Sequence, residues 1–182
     1  MRLIDNRDLR DPHLNLALEE VAVRQLDSET PHLLFYINEP SIIVGKNQNT
    51  HGEINHEVVR EHGIHVVRRI SGGGAVYHDH GNLNFSFITR YRPGSLLRFK
   101  EFTEPVVKAL ARLGVKAELT GRNDLVVEGR KISGNAQFAG TRSMFSHGTL
   151  LFDSDLDRVE EALTVKRDKI ESKGLKSVRS RV

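Results

Sequence analysis

The sequence predicts an α+β fold built on a largely antiparallel or mixed sheet. Short apolar runs rich in β-branched residues are numerous, and the connections between them are often only a few residues long. Helical stretches come in blocks and do not follow every strand, which argues against a doubly wound parallel sheet. At 182 residues with 38% hydrophobic residues, the chain is long enough for one domain with a sizeable core, or one domain with an appendage.

Leu3 and Ile4 open a short strand. Residues 13–25 read as a helix that starts behind Pro12. Leu14, Leu18, Val21 and Ala22 form its apolar stripe, while Glu19, Glu20 and Arg24 are expected to face away. Residues 33–37 and 41–44 are apolar runs split by the turn Asn38-Glu39-Pro40, and they read as adjacent strands. A short helix over 53–62 ends at Gly63. Strands follow at 64–69, 75–79 and 83–89, the last two separated by Gly81-Asn82. A second helix spans 97–113 and stops at Gly114, and 115–119 returns as strand. Residues 125–127 and 131–133 make a hairpin across Glu128-Gly129. A late strand at 144–152 and a helix at 156–163 precede a basic tail.

Composition excludes several functions. The chain has no cysteine, which removes disulfides, thiolate metal sites and a cysteine nucleophile. No apolar run approaches the ~18 residues of a membrane span, and residues 1–10 are too polar for a signal peptide. A cytoplasmic protein without a membrane partner is expected. The net charge of +3 is uneven: residues 166–182 hold seven basic and two acidic side chains, so this segment alone carries +5. The segment is a solvated end or an arm that meets an anion. A nucleic-acid binder would have only this tail to support it, because aromatics are 6% and no recognition module is evident, so no nucleic-acid partner is expected.

Two segments carry the chemistry. The first is Arg68-Arg69-Ile70-Ser71-Gly72-Gly73-Gly74-Ala75-Val76-Tyr77-His78-Asp79. Three glycines in a row let backbone amides approach an anion, and two arginines can fork onto carboxylate or phosphate oxygens. A plain hairpin turn is the competing reading. The segment is neither a dinucleotide fingerprint nor a P-loop. The second segment is Gly121-Arg122-Asn123-Asp124 with Gly129-Arg130-Lys131-Ile132-Ser133-Gly134-Asn135-Ala136-Gln137. Lys131 beside Gly134 can neutralise an attacking carboxylate and the phosphate it attacks, and Asp124 can hold Mg²⁺. An ordinary charged hairpin is the alternative. His78 and His80 could share a strand face as metal ligands do, although a polar strand edge explains them as well. His147, at the start of the late strand, could bond a ligand or the scaffold. No Gly-x-Ser-x-Gly elbow is present, which argues against a serine hydrolase.

Taken together, these blocks resemble the lipoate–protein ligase family. The likeness begins with Asn15-Leu16-Ala17-x-Glu19-Glu20 and Val44-Gly45-x-x-Gln48-Asn49. It runs on through the arginine–glycine block to Gly81-Asn82, then Gly121-Arg122-Asn123-Asp124 and Lys131-Ile132-Ser133-Gly134. It closes with His147-Gly148-Thr149-Leu150-Leu151 and Lys176-Ser177-Val178-Arg179-Ser180-Arg181-Val182. These seven blocks stand in the right order over nearly the whole chain.

The resemblance implies a biotin/lipoyl ligase catalytic domain over 1–182, related to class II aminoacyl-tRNA synthetases. Lipoate and ATP with Mg²⁺ would give lipoyl-AMP, and a lysine of a lipoyl domain would then take the acyl group. The implied acceptors are 2-oxoacid dehydrogenase acyltransferase subunits and the glycine cleavage H protein. Lys131 is the implied catalytic lysine. Arg69, Ser71, Gly72, Gly73 and Gly74 form the implied lipoyl and phosphate cradle. The family lines its adenylate pocket at positions matching Tyr77, Asn82, Asp124, Ser133, Ala136, His147, Gly148 and Thr149. Lys169 and Lys173 fall in a basic stretch that resembles a mobile adenylate-binding loop. Bacterial members usually continue into a small accessory domain, and some archaeal systems carry it as a separate chain. None is visible in this sequence: either the sequence stops short of it, or a separate accessory-domain protein supplies it as a partner. A lipoyl or octanoyl transferase with another acyl donor is the alternative enzyme, and it would have to work without the cysteine its relatives use. The Arg-Arg-x-Ser-Gly-Gly-Gly block fits lipoyl ligases better than biotin ligases.

Overall fold

A computed structural model describes residues 1–26, 29–50 and 54–163. Among them are ten strands and four helices: β1 (Arg2–Ile4), α1 (Pro12–Gln25), β2 (His32–Tyr36), β3 (Ser41–Val44), α2 (His56–Glu61), β4 (His65–Arg68), β5 (Val76–His78), β6 (Asn82–Arg90), α3 (Phe99–Arg112), β7 (Glu118–Thr120), β8 (Asp124–Val127), β9 (Arg130–Ala139), β10 (Ser143–Leu151) and α4 (Leu156–Ala162). The strands form two sheets, one of seven in the order β1-β2-β6-β10-β9-β8-β7 and one of three in the order β4-β3-β5. Only β1–β2 and β3–β4 pair in parallel. The expected α+β class with a mostly antiparallel sheet is therefore observed.

Alternation along the strands sorts the large sheet into two faces. On one, Phe85 and Leu125 pack with Val106 of α3. On the other, Ile88 and Phe145 pack with Ala22 and Val23 of α1. This second face continues as Asn84, paired to Thr149, and Ser86, paired to His147. It is the polar stretch of an otherwise apolar face, and the small sheet and the start of α1 stand over it. Leu16, Leu34, Tyr36 and Ile43 form the core cluster that joins them.

Local chemistry accounts for the element ends. Asp11 caps α1 by accepting from the amides of His13 and Leu14 at 2.7 and 3.3 Å. Asn55 does the same for α2. The β8–β9 turn uses Glu128 and Gly129, both with positive φ, as a tight hairpin of that hand requires.

Three expectations are corrected. The runs on either side of Asn38-Glu39-Pro40 are not adjacent strands: β2 lies between β1 and β6, whereas β3 sits in the small sheet. The turn diverts the chain from one sheet to the other. The buried stripe of α1 holds Asn15, Leu16, Glu19, Ala22 and Val23, while Leu14 and Val21 are exposed. Glu19 is turned inward because a buried polar partner waits for it. Finally, β9 does not stop at Ser133 but runs to Ala139, between β10 and β8 of the large sheet.

Candidate active site

A cavity of about 300 Å³ opens between the polar face of the large sheet, the start of α1 and the small sheet. That is the lower end of the usual range for a small-molecule site. Its ends differ in character. Leu16, Tyr36, Ile43 and Val76 make one end apolar, and Asn123, Lys131, Gly134 and Asn135 make the other polar.

The glycine segment is shaped by Arg69. This side chain is 7% exposed. Its Nη1 donates to the Ile43 carbonyl at 2.8 Å, and its Nη2 to the carbonyls of Gly72 and Gly74 at 2.9 and 2.7 Å. Its Nε donates to Ser71 Oγ at 3.0 Å. Burial pulls its pKa down to about 10, which leaves it a cation at neutral pH. Arg68 behaves alike, donating through Nη1 to the carbonyls of Gly45 and Gln48, both at 2.9 Å. The two arginines read as acid-binding forks are thus held by the protein's own backbone. Gly45 and Gly73 meet closely: a Cβ on Gly45 would stand 2.1 Å from the Gly73 carbonyl oxygen, so no larger residue fits there.

A line of polar groups crosses the cavity wall behind Arg69. Ser71 Oγ lies 2.8 Å from His147 Nε2. His147 Nδ1 lies 3.1 and 3.0 Å from the two carboxylate oxygens of Glu19. The carboxylate needs a donor, so Nδ1 carries a proton, and the Ser71 hydroxyl, which already accepts from Arg69, donates to Nε2. A charge buried on α1 is thereby joined to the glycine segment through one imidazole.

At the polar end, Lys131 Nζ stands 2.8 Å from Asp124 Oδ1. Its placement depends on a register shift. Asp124 pairs with Gly134 and Leu125 with Ser133, but Val126 pairs with Lys131, so Ile132 is the extra residue of a bulge. Uninterrupted pairing would set Ile132 opposite Val126, on the face of Asp124. The bulge gives that place to Lys131 and leaves Ile132 with the α3 core. Gly134 makes room for the ammonium: a Cβ there would lie 3.2 Å from Nζ.

Of the residues singled out in the sequence, Arg69, Gly73, Gly74, Lys131, Ala136, His147, Gly148 and Thr149 line the cavity. Ser71, Gly72 and Asp124 touch lining side chains from behind or beside them. Tyr77 lies on the other face of β5, in the core with Ile42 and Val44, and burial raises its hydroxyl to about 12. Asn82 and Ser133 are buried and reach the site only through Asn84 and Asn135. Lys169 and Lys173 lie outside the described residues. His78 and His80 do not converge: His78 is buried against Asn38, and His80 pairs with exposed Glu39. Among the described residues, no three His, Asp or Glu side chains gather as a metal site, so a cation here would rest on Asp124 and on oxygens of a bound substrate.

Sequence reasoning missed Glu19, Tyr36, Asn84 and Asn135. Asn15 and Glu19 stand four apart, on the helix face that also holds Leu16, Ala22 and Val23, and that spacing was the available signal.

The catalytic-domain model described as lipoyl protein ligase A/B matches residues 11–182. The chain is 66% identical over 182 residues to the lipoate-protein ligase LplJ of Bacillus subtilis, covering all of this chain and 55% of that protein. The chain therefore spans about half the length of the curated relatives it matches. A solved structure of an archaeal lipoylation system from Thermoplasma acidophilum, a bipartite lipoate protein ligase and its E2 lipoyl domain, superposes with a TM-score of 0.86 at 32% identity, over 100% of this chain and 72% of that one. A lipoate-protein ligase A bound with ATP superposes with a TM-score of 0.81 at 28% identity, over 98% and 79% of the two chains.

Proposed function

The chain belongs to the lipoyl protein ligase A/B catalytic-domain family, and from that premise we propose that it activates lipoate with Mg·ATP and passes the lipoyl group to a lysine of an acceptor protein. One observation carries the reading: the cavity is lined by an apolar cluster and by a lysine ammonium, with Gly73 and Gly74 also in its wall.

The shape suits a carboxylic acid with a long apolar tail. The tail would lie against Leu16, Tyr36, Ile43 and Val76, where burying apolar surface contributes roughly 25 cal/mol per Å². The carboxylate would meet Lys131. In the first step a carboxylate oxygen attacks the α-phosphorus of ATP, the bond to the pyrophosphate oxygen breaks, and lipoyl-AMP and pyrophosphate result. Lys131 holds the two anions together and neutralises charge that builds on the α-phosphoryl group. Gly73 and Gly74 admit the phosphates close to backbone. Asp124 would hold Mg²⁺, which would supply further charge neutralisation when bound. In the second step the acceptor's lysine amine attacks the acyl carbonyl, AMP leaves, and an amide remains.

Support for the nucleotide comes from the ATP-bound neighbour, and support for a lipoyl-domain acceptor from the Thermoplasma system. Within the described residues no helix is long and apolar enough to cross a membrane. We place the reaction in the cytoplasm, on lipoyl domains of 2-oxoacid dehydrogenase acyltransferase subunits and on the glycine cleavage H protein. Incubating the protein with lipoate, ATP and Mg²⁺, then adding a lipoyl domain, tests this by mass spectrometry. Lipoyl-AMP followed by one lipoyl adduct on the acceptor is expected. No adenylate from lipoate would overturn the reading.

A further inference from the structure

A carboxylic acid entering the cavity meets two cations in its wall. Lys131 stands with Asp124 at 2.8 Å. Arg69 stands with the apolar cluster, donating to the Ile43 carbonyl at 2.8 Å. A long acid can therefore lie in either direction, its carboxylate drawn to one cation or to the other.

Arg69 is not alone in its field. Glu19, 2% exposed, borders with it a smaller pocket between α1 and β4. The two charges are joined through two side chains. The Glu19 carboxylate accepts from His147 Nδ1, His147 Nε2 accepts from the Ser71 hydroxyl, and Ser71 Oγ accepts from Arg69 Nε. The remaining groups around the pair are neutral or meet water. Burial and then Glu19 push the Tyr36 phenol well up, against the pull of Arg69, so it keeps its proton. Burial, then Arg69 and His147, push His78 down to about 3, so it is uncharged. His147 is neutral by the bonds it makes. Glu20 is held by Arg24 at 2.8 Å and Arg68 holds backbone carbonyls, and both are reached by solvent, as is His13 beside Asp11. Among the described residues that line either pocket, Glu19 and Arg69 are thus the buried charges, and they sum to zero.

In a medium of low dielectric an isolated buried charge acts over several ångströms, and an opposite charge close by removes most of that reach. Glu19 borders the smaller pocket and not the cavity, so it exerts this effect without touching a ligand. We propose that Glu19 is a positioning residue that cancels the field of Arg69 from behind the cavity wall, so that the carboxylate of an entering acid is drawn to Lys131 and the reversed binding mode is suppressed. The proposal rests on reading this cavity as the acyl site.

The test has two arms. Glu19→Gln keeps an acceptor for His147 Nδ1 and removes the charge. Reversed binding occupies the protein without yielding adenylate, so it lowers kcat and KM in the same ratio and leaves kcat/KM unchanged. In Glu19→Gln, kcat and the KM for lipoate should each fall about tenfold, the scale of one buried charge acting at that range. A change confined to one constant, as a loosened fold produces, overturns the proposal, and so does no change in either. The second arm leaves Glu19 in place and compares lipoate with lipoamide, which has the same tail and no charge. In Lys131→Met/Asp124→Asn without ATP, calorimetry should show lipoate binding no more tightly than lipoamide. Adding Glu19→Gln should create a preference for lipoate of about tenfold. A clear preference for lipoate while Glu19 is present overturns the proposal. If Glu19→Gln does not fold, that comparison decides alone. If the wild-type protein forms no adenylate, the functional reading fails while the calorimetry still reports on Glu19.

Discussion

Among the described residues, Lys131 and Arg69 are the two Lys or Arg side chains that line the cavity, and they are used in opposite ways. Arg69 is almost wholly buried and holds four hydrogen bonds to its own chain, three of them to backbone carbonyls. Lys131 has a side chain 29% exposed and, among the described residues, pairs with Asp124. A guanidinium with five fixed donors can organise a backbone, and a compact ammonium on a flexible stem can change partner when a substrate arrives. Charge near a cavity therefore does not by itself identify the group that meets the ligand. The number of partners already held is the better guide.

Four measurements would break or sharpen this contrast. The largest effect is expected for Lys131→Ala, which should lower kcat/KM for lipoyl-AMP formation by about 10³-fold while thermal stability stays put. A melting temperature that fell with the activity would make Lys131 part of the scaffold. Arg69→Met should do the reverse. It leaves the carbonyls of Ile43, Gly72 and Gly74 without their donor, which costs about 3 kcal/mol and lowers Tm by about 9 °C. A variant as stable as the parent would show that the glycine segment holds itself.

The third measurement concerns pH. His78 is neutral in the fold, its pKa depressed to about 3 from 6.5, so the unfolded chain binds the proton first as pH falls. Stability is then complete above pH 6.5 and declines as pH drops from 6.5 toward 3. Urea unfolding at pH 5 should show about 2 kcal/mol less stability than at pH 7.5, with a flatter dependence in His78→Asn. Equal slopes in the two proteins would remove His78 as the cause. The smallest effect is expected for Gly134→Ala. Its Cβ presses on Nζ from 3.2 Å, and because the stem can give way, activity should drop only about tenfold. Activity at the Lys131→Ala level would mean that the ammonium has no second position.

What the sequence made legible follows the same division. Strands and helices were visible because short-range periodicity and turn residues specify them, and the Glu128-Gly129 hairpin is where its residues place it. Lys131 stood out because small residues surround it. Glu19 did not, since a carboxylate four residues after a polar Asn15 looks like a solvent face until His147 is known to wait for it, 128 positions along the chain. Tyr77 and His78 are neighbours with opposite fates, and which one faces the cavity depends on the pairing of β5 with β3. The division of β2 and β3 between two sheets was hidden by a turn that looks like a hairpin. Gly134, Asn135, Ala136 and Gln137 resemble a loop because a strand that borders a polar cavity needs small and polar residues.

The bulge at Ile132 makes the placement of Lys131 a matter of counting. Side-chain direction in a strand depends on whether a residue is odd or even from its last fixed pair, and here one supernumerary residue resets the count between Gly134 and Lys131. A designer who copied the same residues into a regular ladder would obtain a hairpin with the lysine turned against α3 and the isoleucine in the cavity. Transplanting this chemistry to another scaffold means transplanting a defect.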